Sequence, residues 1–187
     1  MSLIIDGFLP EFDELRNYAD VATFLDVMNP YDGVVYPLIC AEIPEHIKSS
    51  IFQRLEEFKG AEIQNPTIFM RRSPAGIHCP HAVHSDLSMG AHSLMLYLNR
   101  SEHCQGGTSF LSHMETGVSY NPESPELTDI IVRDQNDASA WHVVEMIEMR
   151  PNRALIFDAG RLHRAEPNGG FGTTAQDIRV VLTCFFS

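Results

Sequence analysis

The chain has 187 residues, 44% of them apolar, which is enough for one buried core and too little for two ordinary domains. Lys and Arg total 13 against 25 Asp and Glu, giving a net charge of −12 that argues against a nucleic-acid-binding surface. The four cysteines form no CxxC pair, and the sequence has no leader-like start and no membrane-length apolar run. We expect one cytoplasmic domain with free thiols, and the sequence predicts no oligomeric state.

Two amphipathic helices are predicted in the first third of the chain. Directly after Pro10, apolar side chains recur at intervals of three and four over residues 12–25. The same pattern returns between Pro44 and Gly60, and the glycine is a typical stop signal. The segment NPYDGVVYPLI between them predicts a loop or a short irregular strand.

After Pro66 the sequence changes to short β-type runs separated by turn residues, which predicts a barrel or a sandwich of seven or eight strands. Residues 113–128 are rich in Gly, Pro, Ser and Asn, a composition typical of lids and binding loops. The two helices are expected to pack outside this β-structure. The predicted strands are TIFMRR, HSLMLYL, TSFL, DIIVR, WHVVEMIEM, ALIFD and IRVVLTCFF.

The segment HCPHAVHSD, residues 78–86, holds three histidines and an aspartate. In one interpretation His84 and Asp86 lie at a strand end, where residues two apart project from the same face. His163 follows the strand ALIFD by a short turn and is the natural third ligand. Two histidines and a carboxylate leave one face of an octahedral ion open, as a non-haem iron(II) site requires, whereas zinc is content with a closed tetrahedron.

In a second interpretation, His78, His81 and His84 form the metal site as an HxxHxxH set. A spacing of three suits a helix better than a strand, but Pro80 inside the set argues against a regular helix. The remaining histidines are scattered, and we expect them to be structural or exposed.

From about residue 66 to its end, the sequence resembles the prolyl 4-hydroxylase-like 2-oxoglutarate and iron(II) dioxygenases. That family shows an HxD triplet, a strand ending in Tyr-Leu-Asn, a Gly-Gly pair, a strand ending in Phe before a distal histidine, and a basic residue opening the last strand. An HxD triplet alone is weak, whereas five features in order are specific. They read here as His84-Ser85-Asp86, Tyr97, Gly106-Gly107, Phe157 with His163, and Arg179.

The resemblance implies a mainly β fold with flanking helices, α+β overall, built on a double-stranded β-helix or jelly-roll core. Residues 1–62 would be its helical support and residues 63–187 the core of a single oxygenase domain. It also implies Fe(II) at the HxD triplet and His163, 2-oxoglutarate and O2 as co-substrates, and ascorbate as a further cofactor. The implied reaction hydroxylates an unactivated C–H bond and releases succinate and CO2.

The resemblance assigns the far carboxylate of 2-oxoglutarate to Arg179, with Tyr97 as a second contact. A guanidinium suits this task, because it stays charged when desolvated and offers two parallel N–H donors. Several relatives carry a serine where this chain has Val181, two residues after the basic residue. One side chain of the pair Arg71 and Arg72 is expected to face inward, toward 2-oxoglutarate or a carboxylate-bearing substrate, but strand alternation does not say which.

Two alternatives from other classes remain open at this point. A cupin-like jelly-roll metal protein would use similar ligands without 2-oxoglutarate, and a degenerate oxygenase fold would serve only as a binding module. The substrate, peptidyl or small-molecule, is not readable from the sequence. Substrate choice is expected to lie in four variable segments, residues 28–40, 73–83, 113–140 and 165–177.

Overall fold

The structure, a computed structural model, describes residues 2–29 and 33–187. In this part of the chain ten strands form two antiparallel sheets, and side chains of both sheets meet in a buried cluster around Phe110 and Phe157. The strands are β1 (Ser2–Asp6), β2 (Leu25–Met28), β3 (Val35–Cys40), β4 (Thr67–Ser73), β5 (His92–Tyr97), β6 (Gly107–His113), β7 (Trp141–Glu148), β8 (Arg153–Asp158), β9 (His163–Glu166) and β10 (Arg179–Phe186).

The larger sheet has seven strands in the order β1-β8-β5-β10-β4-β3-β2, and the smaller has three in the order β7-β6-β9. This is the predicted mainly β jelly-roll with flanking helices. The predicted count of seven or eight strands was too low. The additional strands are short or lie at sheet edges, where their sequences alternate weakly, and β1 is recognised by its pairing with β8.

Strand β10 lies in the centre of the larger sheet and is buried along its whole length. Its odd-numbered residues, from Arg179 to Phe185, line a cavity between the sheets. Its even-numbered residues, from Val180 to Phe186, belong to the main hydrophobic core on the other face. An apolar strand covered on both faces gives the continuous hydrophobic run seen in the sequence.

The two predicted helices are present as α1 (Phe12–Val21) and α2 (Glu45–Lys59). Pro44 is the N-cap of α2, and Gly60 ends it with a left-handed φ of 71° while its N–H donates to the carbonyl of Glu56. This is the expected behaviour of a glycine at a helix end. The buried apolar side chains of both helices share one core cluster with the even-numbered residues of β10.

The sequence predicted a strand at DIIVR, and this prediction was wrong. The segment is part of a third helix, α3 (Pro125–Asp134). Its β-branched residues suggested a strand, yet of the helix residues only Ile131 is buried, so the run does not lie inside a sheet. Pro125 in the first helical position is the start signal that decides the local structure.

The segment predicted as a loop or irregular strand, NPYDGVVYPLI, forms β3 in its second half. The pairing of β2 with β3 is irregular, and Leu38 has a positive φ of 57°. Residues 30–32 of this segment lie outside the described residues. All four cysteines are free, and within residues 2–29 and 33–187 no helix is long and apolar enough to cross a membrane.

Candidate metal and co-substrate site

His84 and His163 lie side by side because their backbones pair directly. The His84 N–H donates to the carbonyl of His163 over 3.1 Å, and the His163 N–H donates to the carbonyl of His84 over 2.9 Å. The N–H of Asp86 donates to the carbonyl of Ala159 over 2.8 Å. Main-chain hydrogen bonds therefore bring the three predicted ligands together at the start of β9.

The side chains of these residues converge on one point. Nε2 of His84 lies 3.6 Å from Oδ1 of Asp86, and Nε2 of His163 lies 3.4 Å from Oδ2. One ligand atom from each residue lies within 4.8 Å of the other two. Ligands at right angles around an ion, with bonds of ~2.1 Å, lie about 3 Å apart, so this spacing fits a divalent metal. Two imidazoles and one carboxylate are the ligand set of non-haem iron(II) sites.

Two hydrogen bonds orient the ligands from behind. The Ser93 hydroxyl donates to Oδ2 of Asp86 over 2.8 Å, and both residues are buried. Nδ1 of His163 lies 2.9 Å from the carbonyl oxygen of Arg161, an acceptor that requires the proton on Nδ1. Nε2 is then left with its lone pair free for a metal.

His84 is suited to metal binding by its protonation state as well as its position. Desolvation and the neighbouring His163, with a smaller contribution from Arg71, hold the pKa of His84 well below its usual value, against the opposing effect of Asp86. The imidazole is therefore neutral at physiological pH. Neutral imidazole is the form that binds metals.

Arg179 places a guanidinium in the same cavity. Its side chain is 2% exposed, with Nη2 3.4 Å from the carbonyl oxygen of Gly107 and 3.9 Å from the sulfur of Met95. Its Nε is buried without a hydrogen-bond partner, and none of the described carboxylates forms an ion pair with it. Burial lowers the pKa of Arg179 to about 10, so it stays cationic at neutral pH. Buried charges are normally paired, so this unpaired cation indicates a binding position for an anion.

Asn99, the last residue of the Tyr-Leu-Asn motif, holds the backbone on both sides of Arg179. Its Nδ2 donates to the carbonyl of Ile178 over 2.9 Å, and its Oδ1 accepts from the N–H of Val180 over 2.8 Å. These two hydrogen bonds restrain the backbone on either side of the first residue of β10. This role of Asn99 was not predicted from the sequence, although its position in the motif was a signal for it.

The Tyr97 hydroxyl was expected to face the cavity, but it does not. The hydroxyl donates to Oγ1 of Thr108 over 2.8 Å, and the ring is fully buried against Met149 and Phe171. Tyr97 is also absent from the described cavity lining. Strand alternation placed the side chain on the correct face, but the phenol reaches across to β6. Its contact with 2-oxoglutarate remains a prediction, which this geometry disfavours.

The structure decides which of the two consecutive arginines faces inward. Arg71 lines the cavity, with its Nε buried and without a partner. Arg72 points to the other face of β4, where its guanidinium donates to the carbonyl of Ala19 over 2.6 Å and lies 4.4 Å from the centroid of the Phe24 ring.

The HxxHxxH set does not come together. His78 is exposed, and Nδ1 of His81 lies 2.9 Å from the side-chain oxygen of Gln135, in the segment after α3. Within residues 2–29 and 33–187, the group of side chains placed to hold a metal is His84, Asp86 and His163.

The cavity in front of these ligands has a volume of about 550 Å³, a size typical of small-molecule sites. Three of the four predicted substrate segments line it, but none of the described residues in 113–140 does. That segment instead supports the metal loop from outside, where Asn136 accepts from the N–H of Ala82. Apolar lining residues include Ile39, Phe69, Ile77, Met95, Val181 and Phe185.

No family model matches the sequence, and no curated protein gives a significant match. Among solved structures, the chain is similar to a prolyl hydroxylase from Trichoplax adhaerens in complex with a hypoxia inducible factor peptide fragment, with a TM-score of 0.59 and 14% identity over 99% of this chain and 82% of that one. It is also similar to EvdO2 from Micromonospora carbonacea var. aurantiaca complexed with 2-oxoglutarate, with a TM-score of 0.56 and 18% identity over 100% and 86% of the two chains.

A third similar structure is EctD from S. alaskensis with 2-oxoglutarate and 5-hydroxyectoine, with a TM-score of 0.53 and 15% identity over 98% of this chain and 70% of that one. These similar structures agree with the family resemblance seen in the sequence. The chain has the jelly-roll fold of the prolyl 4-hydroxylase-like 2-oxoglutarate oxygenases. None of these comparisons bears on ascorbate, which stays a prediction.

Proposed function

We propose that this chain is an Fe(II)- and 2-oxoglutarate-dependent oxygenase that hydroxylates an unactivated C–H bond. One observation carries the proposal: a three-ligand metal centre and a buried cationic guanidinium without a carboxylate partner open into the same cavity. The metal centre would bind one end of a 2-oxo acid, and Arg179 would bind the carboxylate at the other end.

In this proposal His84, Asp86 and His163 would hold Fe(II), and a ligand set of three residues would leave coordination positions for exogenous ligands. The bound iron supplies O2 activation, coupled to oxidative decarboxylation of 2-oxoglutarate. The balanced reaction converts R–H, 2-oxoglutarate and O2 into R–OH, succinate and CO2. Asp86 contributes one negative charge to the centre, and its hydrogen bond from Ser93 fixes the carboxylate orientation.

Arg179 binds the carboxylate of 2-oxoglutarate that does not reach the metal. The site is desolvated, so a charge-assisted pair there is stronger than in water, and the anion relieves the cost of the buried cation. This cation favours a 2-oxoglutarate enzyme over the cupin-like alternative, since a metal protein without that co-substrate has no use for it. Met95, Val181 and Phe185 contribute an apolar wall to this cavity. An apolar lining would limit the access of water to the reacting atoms.

Both peptidyl and small-molecule substrates stay within this proposal. The prolyl hydroxylase structure contains a peptide and the EctD structure contains 5-hydroxyectoine, so the fold accommodates either kind. Fold alone does not select between them.

The proposal is tested by anaerobic calorimetric titration of the purified protein with Fe(II) and then 2-oxoglutarate, followed by addition of O2 and measurement of succinate. We expect 2-oxoglutarate to bind only with metal present and succinate to form slowly even without a substrate. The Arg179→Gln variant serves as the control for the co-substrate site. Metal binding without 2-oxoglutarate binding or succinate would contradict the proposal and favour the cupin-like alternative.

A further inference from the structure

Arg71 is a second cation on the cavity wall that neither the metal centre nor the co-substrate site uses. It lies on the inward face of β4 between Phe69 and Ser73, and all three residues line the cavity. Its Nε is buried without a hydrogen-bond partner, and no described carboxylate lies within salt-bridge distance of it. Its guanidinium carbon lies 5.8 Å from the centroid of the Tyr36 ring.

The two cavity arginines point in different directions. Arg71 pairs with Val181 and Arg179 pairs with Ser73, so they are diagonal neighbours on one face of adjacent strands. The guanidinium of Arg179 extends toward β5 and β6, whereas that of Arg71 extends toward β3. The two guanidinium groups therefore define two separate anion positions on the cavity wall.

These charges also act on each other. Burial, together with a smaller effect of Arg71, lowers the pKa of Arg179. Two neighbouring cations without counter-ions are unfavourable in a partly desolvated cavity, and binding an anion at each of them removes this cost.

2-Oxoglutarate has two carboxylates, and the proposed function assigns one to the metal and the other to Arg179. Arg71 is then left for an anion from a different molecule. We propose that Arg71 binds a carboxylate of the substrate, so that the substrate is a small apolar molecule with an acidic group. This inference rests on the proposed function.

The surroundings of Arg71 support this substrate class. The nearby wall is apolar, with Val27, Met28 and Ile39 contributed by β2 and β3. Asp86 is the one acidic side chain among the described lining residues, and it belongs to the metal centre. A single guanidinium on an apolar wall fits one planar carboxylate, and the net charge of −12 disfavours polyanions.

The test uses the protein loaded anaerobically with Fe(II) and 2-oxoglutarate, titrated with hexanoate and 3-phenylpropionate and with the corresponding amides. In the unmodified protein we expect the carboxylates to bind at least about tenfold more tightly than the amides. Arg71→Gln should remove this preference, and Arg71→Lys should keep part of it, because lysine retains the charge but not the planar pair of donors. Arg150→Gln is the matched control, since Arg150 is exposed and pairs with Glu148 on the surface.

The affinity for 2-oxoglutarate is measured in the same variants. We expect it to change less than about threefold in Arg71→Gln and to fall at least about tenfold in Arg179→Gln. Equal binding of acids and amides, or no binding of either, overturns the proposal for Arg71. A loss of 2-oxoglutarate binding in Arg71→Gln as large as in Arg179→Gln also overturns it, and assigns Arg71 to the co-substrate. Failure of the unmodified protein to bind 2-oxoglutarate instead contradicts the proposed function, and is seen before any acid is added.

Discussion

The hydroxyl of Ser93 on strand β5 donates a hydrogen bond over 2.8 Å to Oδ2 of Asp86, in the loop that carries two of the three ligands. The other carboxylate oxygen, Oδ1, faces Nε2 of His84. The hydrogen bond therefore restricts rotation of the carboxylate and prepares it for a metal before the metal arrives.

We expect Ser93→Ala to lower the affinity for Fe(II), or for Mn(II) as a stable substitute, by about 10- to 100-fold, the usual effect of losing a hydrogen bond to a metal ligand. Isothermal titration under anaerobic conditions measures this. Ser109→Ala is the control, because the Ser109 hydroxyl is also buried but has no hydrogen-bond partner. Equal metal affinity in the two variants would show that the Ser93 hydrogen bond does not support the site.

Asp86→Ala should abolish tight metal binding and, with it, iron-dependent succinate formation, since two neutral imidazoles alone bind Fe(II) weakly. The fold should persist. Removing a buried carboxylate also removes the cost of its desolvation, which offsets the loss of its hydrogen bond from Ser93. Asp129→Ala removes the same charge at an exposed position and should behave like the unmodified protein. Succinate formation at an undiminished rate in Asp86→Ala would count decisively against the metal site.

Arg179→Met should separate function from stability. The variant should lose binding of 2-oxoglutarate by at least about tenfold, because a charge-assisted hydrogen-bonded pair is removed. Without ligand, its unfolding temperature should equal or exceed that of the unmodified protein, since an unpaired buried cation is replaced by an apolar side chain of similar length. Differential scanning calorimetry of the metal-loaded proteins with and without 2-oxoglutarate measures the loss of binding, and the same scan of the ligand-free proteins measures stability. A marked fall in stability without ligand would indicate a structural role for Arg179.

The stability of the metal-free protein should depend on pH through His84. The pKa of His84 is lowered in the folded protein from 6.5 to about 4, so between these values the unfolded chain binds a proton that the folded chain does not. Stability should therefore fall as pH falls through this window.

Urea unfolding of the metal-free protein at about pH 7.5 and about pH 5 tests this, and His84→Gln should show a smaller loss between the two. His46→Gln is the control, because His46 is exposed and its Nε2 lies 2.8 Å from Oε1 of Glu14, which is also exposed. The same pH dependence in all three proteins would exclude His84 as its source.

The sequence predicted the parts of the molecule that obey a local rule. Helix α2 was bounded correctly because Pro44 and Gly60 are strong start and stop signals. The inward face of β10 followed from the two-residue period of a strand. His84 and Asp86 were expected at a strand end, but they lie in a loop between β4 and β5, where His84 forms an isolated bridge with His163. The segment DIIVR was assigned wrongly because its β-branched residues dominated the local pattern, although Pro125 marked a helix start.

Other features depend on long-range pairing that no local pattern contains. Alternation put Tyr97 on the cavity side of β5, but its hydroxyl bonds Thr108 on β6, and only the packing of the two sheets reveals this. The choice between Arg71 and Arg72 depends on the register of β4 against β10. The role of Ser93 required knowing that the loop with Asp86 folds over β5.

The two hydrogen bonds that Asn99 makes around Arg179 have a consequence for selectivity among 2-oxo acids. These hydrogen bonds, at Ile178 and Val180, fix the backbone from which the guanidinium extends and so restrict where its charge lies. The distance from the metal ligands to this charge then determines which length of 2-oxo acid can reach both. We expect oxaloacetate and 2-oxoadipate, one methylene shorter and longer than 2-oxoglutarate, to be poor substitutes for it. Asn99→Ala should reduce this discrimination, because it removes both hydrogen bonds that restrain the backbone around Arg179.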